Sequence, residues 1–444
     1  MLKIIYTIIA IINFLIILFT AKKLNFVIIY YFSSLIYYFN GFIGEIYTRG
    51  SNGTIESYAM NEKTYWILII NMLVIFIMLI IDFIKKRNVQ DNEKENNCEA
   101  TEKEEIRKGS RKYKKELVEK CIIYTGTIIS VLGIIYIVYS LRDLLFTNNY
   151  NKTIIMEKTS RLQEYYKMFT MFWTIYLVIQ HEKVKSKLVW IVAFLGLALT
   201  FLLGHRSFLV IAIIAVAIYI INEKLWKKGN MLQFIACHKK ILILALIFVF
   251  VVFFIKGVYT ALFNRDFDLV WSRLTDISYY TNTLKISEPN VIMANLNGIV
   301  DADYKLDFCS YAVLPTYLIP GLTNLLDIES FTKVYQEDLF GSTNRASTIL
   351  GEAYANGGLL VVIMVAFILN SVLLMVSCFY EKSNNNIWKA FLLLTGTDIA
   401  FFIHRNSADY AICRIRYFLY FVVVLFAIKM IANVILDKKR SIQQ

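Results

Sequence analysis

Eleven apolar stretches, most of them long enough to cross a bilayer, limit what this chain can fold into. They fall at about residues 4–21, 24–44, 65–84, 121–140, 168–180, 188–203, 207–222, 241–257, 347–379, 388–403 and 409–435. A membrane core about 30 Å thick takes roughly 20 helical residues to cross, and it offers no water to backbone N–H and C=O groups. Helices that satisfy their own backbone follow from that constraint. With 57% hydrophobic residues and three prolines in 444, the chain is too poor in polar surface for a soluble domain. The expectation is an all-α polytopic membrane protein with about 11 crossings (10–12), a single transmembrane domain over 1–444. The first run has no small-residue cleavage site and reads as a retained helix.

Loop charges orient the helices. Residues 85–120 carry twelve Lys/Arg against nine Asp/Glu, which places this charged loop in the cytoplasm. Alternation then puts 22–23, 181–187, 223–240, 380–387 and the "DKKRSIQQ" tail inside and the amino terminus outside. The long segment 258–346 becomes a large extracytoplasmic loop. Residues 88–110, dense in both charges and poor in apolar side chains, read as a flexible stretch. The net charge of +13 orients helices and does not point to nucleic acid. Six scattered cysteines, of which only Cys309 falls outside, give neither a disulfide framework nor metal-ligand spacing.

The basic residues divide by type across this topology. Arginine occurs inside at Arg87, Arg107, Arg111 and Arg440. Outside or in the outer membrane halves lie Arg49, Arg142, Arg161, Arg206, Arg265, Arg273, Arg345, Arg405, Arg414 and Arg416. Orientation rules ask for positive charge inside but do not ask for arginine in place of lysine outside. A guanidinium grips phosphate or carboxylate at two points, whereas an ammonium is a point charge. The bias points to an anionic ligand at the outer face; the plainer reading is a set of helix-end anchors.

Four stretches carry the candidates. "FLLGHRSFLV" (201–210) puts His205 and Arg206 at the tip of a hairpin of two helices of about sixteen residues each. At 1.5 Å per residue such helices cover only ~24 Å, which draws the tip below the outer surface. "LFNRDFDLVWSRLTDISYYTN" spaces Phe267, Val270, Trp271 and Leu274 as one face of a surface helix. Arg265 and Arg273 sit on it, with Asp266, Asp268 and Asp276 to pair with them. "AVLPTYLIPGLTNLLD" is apolar but broken by prolines, hence a re-entrant or interfacial turn. "GSTNRASTILGEAYANGG" (341–358) leads a polar cluster with Arg345 into a helix N-terminus, a ready anion site, and puts Glu352 about two turns inside. "FFIHRNSADYAICRIRYF" (401–418) adds His404 and Arg405 at an outer boundary, with Arg414 and Arg416 within the next helix. Salt bridging and helix capping compete with ligand binding at every one of these positions.

Over roughly residues 190–420, these features resemble the oligosaccharide repeat-unit (O-antigen or capsular polysaccharide) polymerases, the Wzy-type membrane glycosyltransferases. The likeness lies in the late outer loop, the "GHR" arginine, the "LP…P" loop running to "NRAS…GEAYANGG", and "HRNSADY" before the last helix. The first 190 residues agree only in hydropathy. The resemblance implies a GT-C-like helical membrane fold in the bacterial cytoplasmic membrane with an active site facing outward. It implies transfer of a growing chain from one polyprenyl-diphosphate carrier to a hydroxyl on the next lipid-linked unit. It implies no metal and no other cofactor, and as partners donor and acceptor lipids, the bilayer, a flippase and a chain-length regulator. On that basis Arg206, Arg345 and Arg405 hold diphosphate, with His205, Arg265, Arg273, Arg414 and Arg416 as further candidates, and Glu352 or His404 takes the acceptor proton. An O-antigen ligase shares this logic with a different acceptor. A transporter or flippase of the same lipids is the alternative of another class, disfavoured by the absence of internal repeats.

Overall fold

The computed structural model describes residues 1–49, 54–95, 105–142, 152–203, 206–226, 229–240, 265–340 and 348–443, with isolated positions between them. Long apolar helices dominate: α1 (Leu2–Thr20), α2 (Phe26–Tyr37), α3 (Glu62–Glu95), α4 (Glu105–Ser140), α5 (Lys152–Ile179), α6 (Lys187–Leu202) and α7 (Arg206–Ile220). After the outer segment follow α12 (Ile349–Lys382), α13 (Asn386–Phe402) and α14 (Ala408–Gln443). Among the described residues seven helices are long and apolar enough to cross a membrane, and α2 and α6 are shorter apolar helices. The fold is all-α and polytopic, as the hydropathy predicts. The run at 241–257 lies largely outside the described residues, whereas the short run at 168–180 is the C-terminal half of α5, where Met171, Phe172 and Trp173 are fully buried.

Two expectations change in detail. The apolar run 24–44 does not make one crossing helix: α2 stops at Tyr37, about 18 Å long by its twelve residues. A turn follows, and Asn40 then spends its amide on the Glu45 carbonyl at 2.7 Å. The charged stretch 85–120 is largely helical, since α3 continues to Glu95 and α4 begins at Glu105. Its Glu- and Lys-rich composition forms helix readily even where nothing apolar is available to bury.

α13 sits at the centre, packed by α2, α5, α7, α12 and α14, and is the most deeply buried of the candidate spans. Residues 265–340, the expected outer segment, form a series of short helices: α8 (Phe267–Thr275), α9 (Ile277–Lys285), α10 (Glu288–Asp301) and α11 (Phe331–Phe340). The expected surface helix is thus two, because Asp266 caps α8 through the Leu269 N–H and Asp276 caps α9 through the Ser278 N–H. Those two carboxylates serve the backbone. Neither helix buries a residue, and Phe267 and Trp271 (69% exposed) leave an apolar face uncovered by protein, the pattern expected of an interfacial element. The proline-rich run is irregular as expected, a 3₁₀ turn at Leu314–Leu318 and a short helix at Leu322–Leu325.

A small antiparallel hairpin, β1 (Glu45–Arg49) and β2 (Ile55–Ala59), follows α2, with Tyr47 opposite Ser57. It is docked by α10 through asparagines. Asn290 accepts from the Tyr47 N–H (2.8 Å) and donates to the Tyr47 carbonyl (2.5 Å), copying a strand partner for β1. Asn297 accepts from the Asn61 N–H (2.8 Å) and the Thr64 hydroxyl (3.0 Å). Replacing Asn290 with alanine strands both Tyr47 backbone groups, each worth about 1–3 kcal/mol when buried and unpaired. The expected result is a lower unfolding temperature in detergent and faster amide exchange confined to 45–49; exchange unchanged there would show that α10 does not hold the hairpin.

Candidate active site

The amino-terminal end of α12 is set apart from the rest of that helix. Gly357 and Gly358 interrupt it with non-helical dihedrals, and Gly358 at φ +64° holds a conformation that side chains disfavour. Two adjacent glycines weaken a helix by about 1 kcal/mol each, so the break falls where the sequence is weakest. The Ala355 carbonyl freed at the break accepts from the Leu306 N–H at 2.8 Å, which meets the demand that backbone groups be paired where water is scarce. Glu352 therefore lies in the first turn of a short helical segment, not two turns down a continuous one.

Its carboxylate is wholly enclosed (0% exposed) yet well supplied with donors. The Ser310 hydroxyl donates to Oε1 at 3.2 Å, and the Ala408 N–H, at the head of α14, donates to Oε2 at 2.7 Å. Asn356, one turn on, donates to the Ser310 hydroxyl at 2.7 Å. The Ala408 amide is among the first N–H groups of its helix, where the helix carries partial positive charge. A carboxyl group does meet a helix N-terminus here, but it is the protein's own Glu352 and the helix is α14. Asp409 stands beside it, buried and bonded to the Ser407 hydroxyl, which is 3.1 Å from the hydroxyl of Thr332 on α11. Tyr311 and Tyr317 close the cluster. Burial, and then the Glu352 charge, raise the Tyr311 hydroxyl above the ordinary tyrosine range; burial, then Asp409, do the same for Tyr317. Both remain protonated donors at neutral pH.

Below this cluster the cations are interleaved with rings. Arg414 is buried, makes an ion pair with Asp398 on α13 at 2.5 Å, and lies over Phe208 (4.5 Å) and Phe402 (4.8 Å). Arg405 covers Phe402 at 4.7 Å, and Lys167 covers Phe208 at 5.0 Å. Three cations thus share two rings, in the order Arg405, Phe402, Arg414, Phe208, Lys167. Each is drawn to the negative face of the ring it covers. Phe208 is two residues from Arg206, so the head of α7 joins this assembly.

The remaining candidates are dispersed. Arg405 is ion-paired with Glu288 at the head of α10. Arg416 donates to the Tyr317 carbonyl at 2.6 Å and so ties the proline-rich loop to α14. His404 is enclosed by aromatic rings, stacked on Tyr30 at 4.5 Å with Nδ1 3.1 Å from the Tyr38 hydroxyl, and has no exposed surface. Arg265 is exposed in a turn with φ +56°, and Arg273 is half-buried on α8. His205 and Arg345 lie outside the described residues, as does the Arg206 side chain. Arg405, Arg414 and Arg416 each turn to a partner of their own, and among the described residues no single open hollow joins them. Residue-type reasoning passed over Lys167, Asp398 and Asp409. The signal for the first was visible in "EYYKMF", a lysine entering an apolar run with a carboxylate three residues before it.

The fold and these clusters define a multi-pass membrane protein that gathers carboxylate, phenol and guanidinium groups where α12, α13 and α14 meet the outer-segment helices. A sequence model of the O-antigen polysaccharide polymerase Wzy family matches residues 1–267, and the chain belongs to that family. No curated protein and no solved structure matches it. The matched region includes Arg206, Arg265 and Lys167 and the whole amino-terminal part that by eye agreed only in hydropathy; Glu352, Arg405 and Arg414 lie beyond it. Members of the family are glycosyltransferase-type polymerases that act on lipid-linked oligosaccharide repeat units in the membrane.

Truncating one partner of a buried ion pair leaves an uncompensated charge, at about 3–5 kcal/mol. Asp398→Ala is therefore expected to lower the thermal midpoint sharply, and the double variant Asp398→Leu with Arg414→Met to recover most of it. Equal midpoints for Asp398→Ala and the unchanged protein would show that the pair does not hold α13 to α14.

Proposed function

We propose that this protein lengthens O-antigen or capsular polysaccharide at the outer face of the bacterial cytoplasmic membrane, with lipid diphosphate as the leaving group. The observation that carries the reading is Glu352, a fully enclosed carboxylate aimed by Ser310 and the Ala408 amide within a ring of polar side chains. A carboxylate in the outer part of a membrane protein is expensive unless it is used. The acceptor hydroxyl attacks the anomeric carbon of the donor sugar. The bond from that carbon to the diphosphate oxygen breaks, and the hydroxyl proton passes to Glu352 as general base.

The diphosphate departs with its charge held by Arg206, Arg345 and Arg405, which serve where a divalent cation serves in other transferases. Arg405 is suited to this because its present partner, Glu288, is itself 35% exposed and can be exchanged for a phosphate. Arg265, Arg273 and Arg416 lie along the approach. His404 and Glu352 are both enclosed; Glu352, bonded by the Ser310 hydroxyl and the Ala408 amide beside the loop that follows α10, is assigned the proton. The segment 258–346 is assigned to the outer side and 85–120 to the cytoplasm by the loop charges.

Purified protein given lipid-linked repeat units extracted from producing cells is expected to yield a ladder of polymer. Glu352→Gln keeps the shape but cannot accept the proton, and the rate is expected to fall by about 10²–10⁴ with thermal stability retained. Arg405→Ala is expected to slow turnover by about 10²–10³. A Glu352→Gln protein that polymerises at the original rate would sink the assignment of the base.

A further inference from the structure

The loop after α10 holds a strained turn whose exposed side chains have no task in the transfer step. Asp307 and Phe308 both take left-handed backbone, at φ +46° and +65°, and Asp303 does so at +45°. Residues with a Cβ disfavour that conformation, and for a bulky ring it is an outlier. Such strain persists only where the surroundings fix it, and it gathers at functional sites. Three hydrogen bonds fix this loop to the first segment of α12. The Tyr354 hydroxyl donates to Asp303 at 3.4 Å, the Leu306 N–H to the Ala355 carbonyl, and the Ser310 hydroxyl to Glu352. A fourth, from the Tyr304 hydroxyl to Asp338 at 2.6 Å, ties it to α11. On this rigid support Phe308 rests the tip of its ring against Gly357 and still leaves 52% of its surface open. The neighbouring Asp307 carboxylate is exposed, with no hydrogen bond or ion pair among the described residues.

The chemistry of the turn narrows the ligand. An aromatic ring next to a carboxylate suits a sugar, because the ring covers C–H groups and the carboxylate accepts from hydroxyls. Asp303, Asp307 and Asp338 outnumber Lys305, which is itself paired with Asp303 at 2.8 Å. That local negative charge repels a diphosphate, the reverse of the situation at Arg405. Position narrows the ligand further. Phe308 stands two residues before Ser310, whose hydroxyl bonds Glu352, and in the transfer proposed above Glu352 takes the proton of the acceptor hydroxyl. We propose that Asp307 and Phe308 form a surface subsite for the acceptor sugar, with the pyranose on the Phe308 ring and its hydroxyls on Asp307. Such a subsite needs no cavity, because a sugar stacked on an exposed ring keeps its other face in water. A loop fixed before binding also loses little freedom when the sugar arrives. The proposal rests on the polymerase reading and adds to it the place where the acceptor's carbohydrate is gripped.

The test uses full-length protein in detergent and the free repeat-unit oligosaccharide, released by mild acid from extracted lipid-linked units. Neither diphosphate nor lipid tail then takes part, and binding is read by saturation-transfer NMR. Phe308→Ala is expected to weaken binding about tenfold, and Asp307→Asn about threefold. Arg405→Ala should bind the oligosaccharide as the unchanged protein does, and inorganic pyrophosphate should not displace it. In proteoliposomes with the lipid-linked units, the Phe308 and Asp307 variants are expected to raise KM with kcat within about twofold. The proposal is overturned if the unchanged protein does not bind the oligosaccharide, or if both variants bind it equally well. Displacement by pyrophosphate also overturns it, since the turn would then serve the diphosphate. Should Phe308→Ala fail to give monodisperse protein, Asp307→Asn, at an exposed and unpaired carboxylate, decides alone. Oligosaccharide binding without polymer from the unchanged protein would remove the polymerase reading, and the acceptor role with it. Polymer made without that binding would remove the subsite alone.

Discussion

The buried pair between Asp398 and Arg414 is the constraint around which α12, α13 and α14 meet. α13 is enclosed on every side, so a carboxylate on it has no water to turn to. Burying an ion pair gains little stability over apolar packing, but it fixes which face of α14 meets α13. A rotation of α14 that slid Arg414 off Asp398 would leave two charges stranded in a dry interior. That same rotation sets where α14 begins, and its first amide, at Ala408, is the donor that Glu352 needs. The ion pair thus acts at a distance on the candidate base: it holds the helix whose N-terminus orients the carboxylate.

The second determinant is the interruption of α12. A continuous helix would carry Glu352 on a rigid rod and leave Ala355 without a place for the incoming loop. With Gly357 and Gly358 at the break, the loop after α10 enters at backbone level through Leu306, bringing Ser310 and Tyr311 against the carboxylate. Phe308 packs so close to Gly357 that a methyl group there would sit 3.2 Å from its ring. The broken helix and the incoming loop account for each other, and the polar cluster is what they enclose.

The membrane class, the short helices of the hairpin around Arg206 and the helical, exposed apolar face of 267–275 were legible in the sequence, because each rests on periodicity, run length or turn chemistry. What escaped was lateral. Hydropathy assigns α5 by its apolar run at 168–180 but is blind to Lys167 meeting Phe208, 41 residues away. The arginines were found by type and depth, yet their partners, Glu288, Asp398 and the Tyr317 carbonyl, lie 117, 16 and 99 positions off. His404 shows the same limit: beside an arginine at a helix end it reads as a chemical group, and its surroundings, Tyr30, Tyr37 and Tyr38, come from α2 and the residue after it, 366 or more positions away. The hairpin at 45–59 also left a trace, alternation around "SNGT", which the apolar run before it obscured.

Arg405 and Arg414 owe their residue type to two physical sources. Arg414 shows the first: only a guanidinium can pair with a buried carboxylate while lying over aromatic rings, because its charge is spread over a plane and is weakly hydrated. An ammonium in that place would lose more hydration than the rings return. Arg405 shows the second. Its side chain is 29% exposed and its partner 35%, and an ion pair that wet is worth little. On the function proposed above, a diphosphate arriving at Arg405 would displace a carboxylate that water can take up, so the exchange would be nearly balanced before the new contacts form. At Arg414 the displaced carboxylate would stay buried without a counter-charge. Solvent access separates the two arginines: one is free to trade its partner, and the other is bound to keep it.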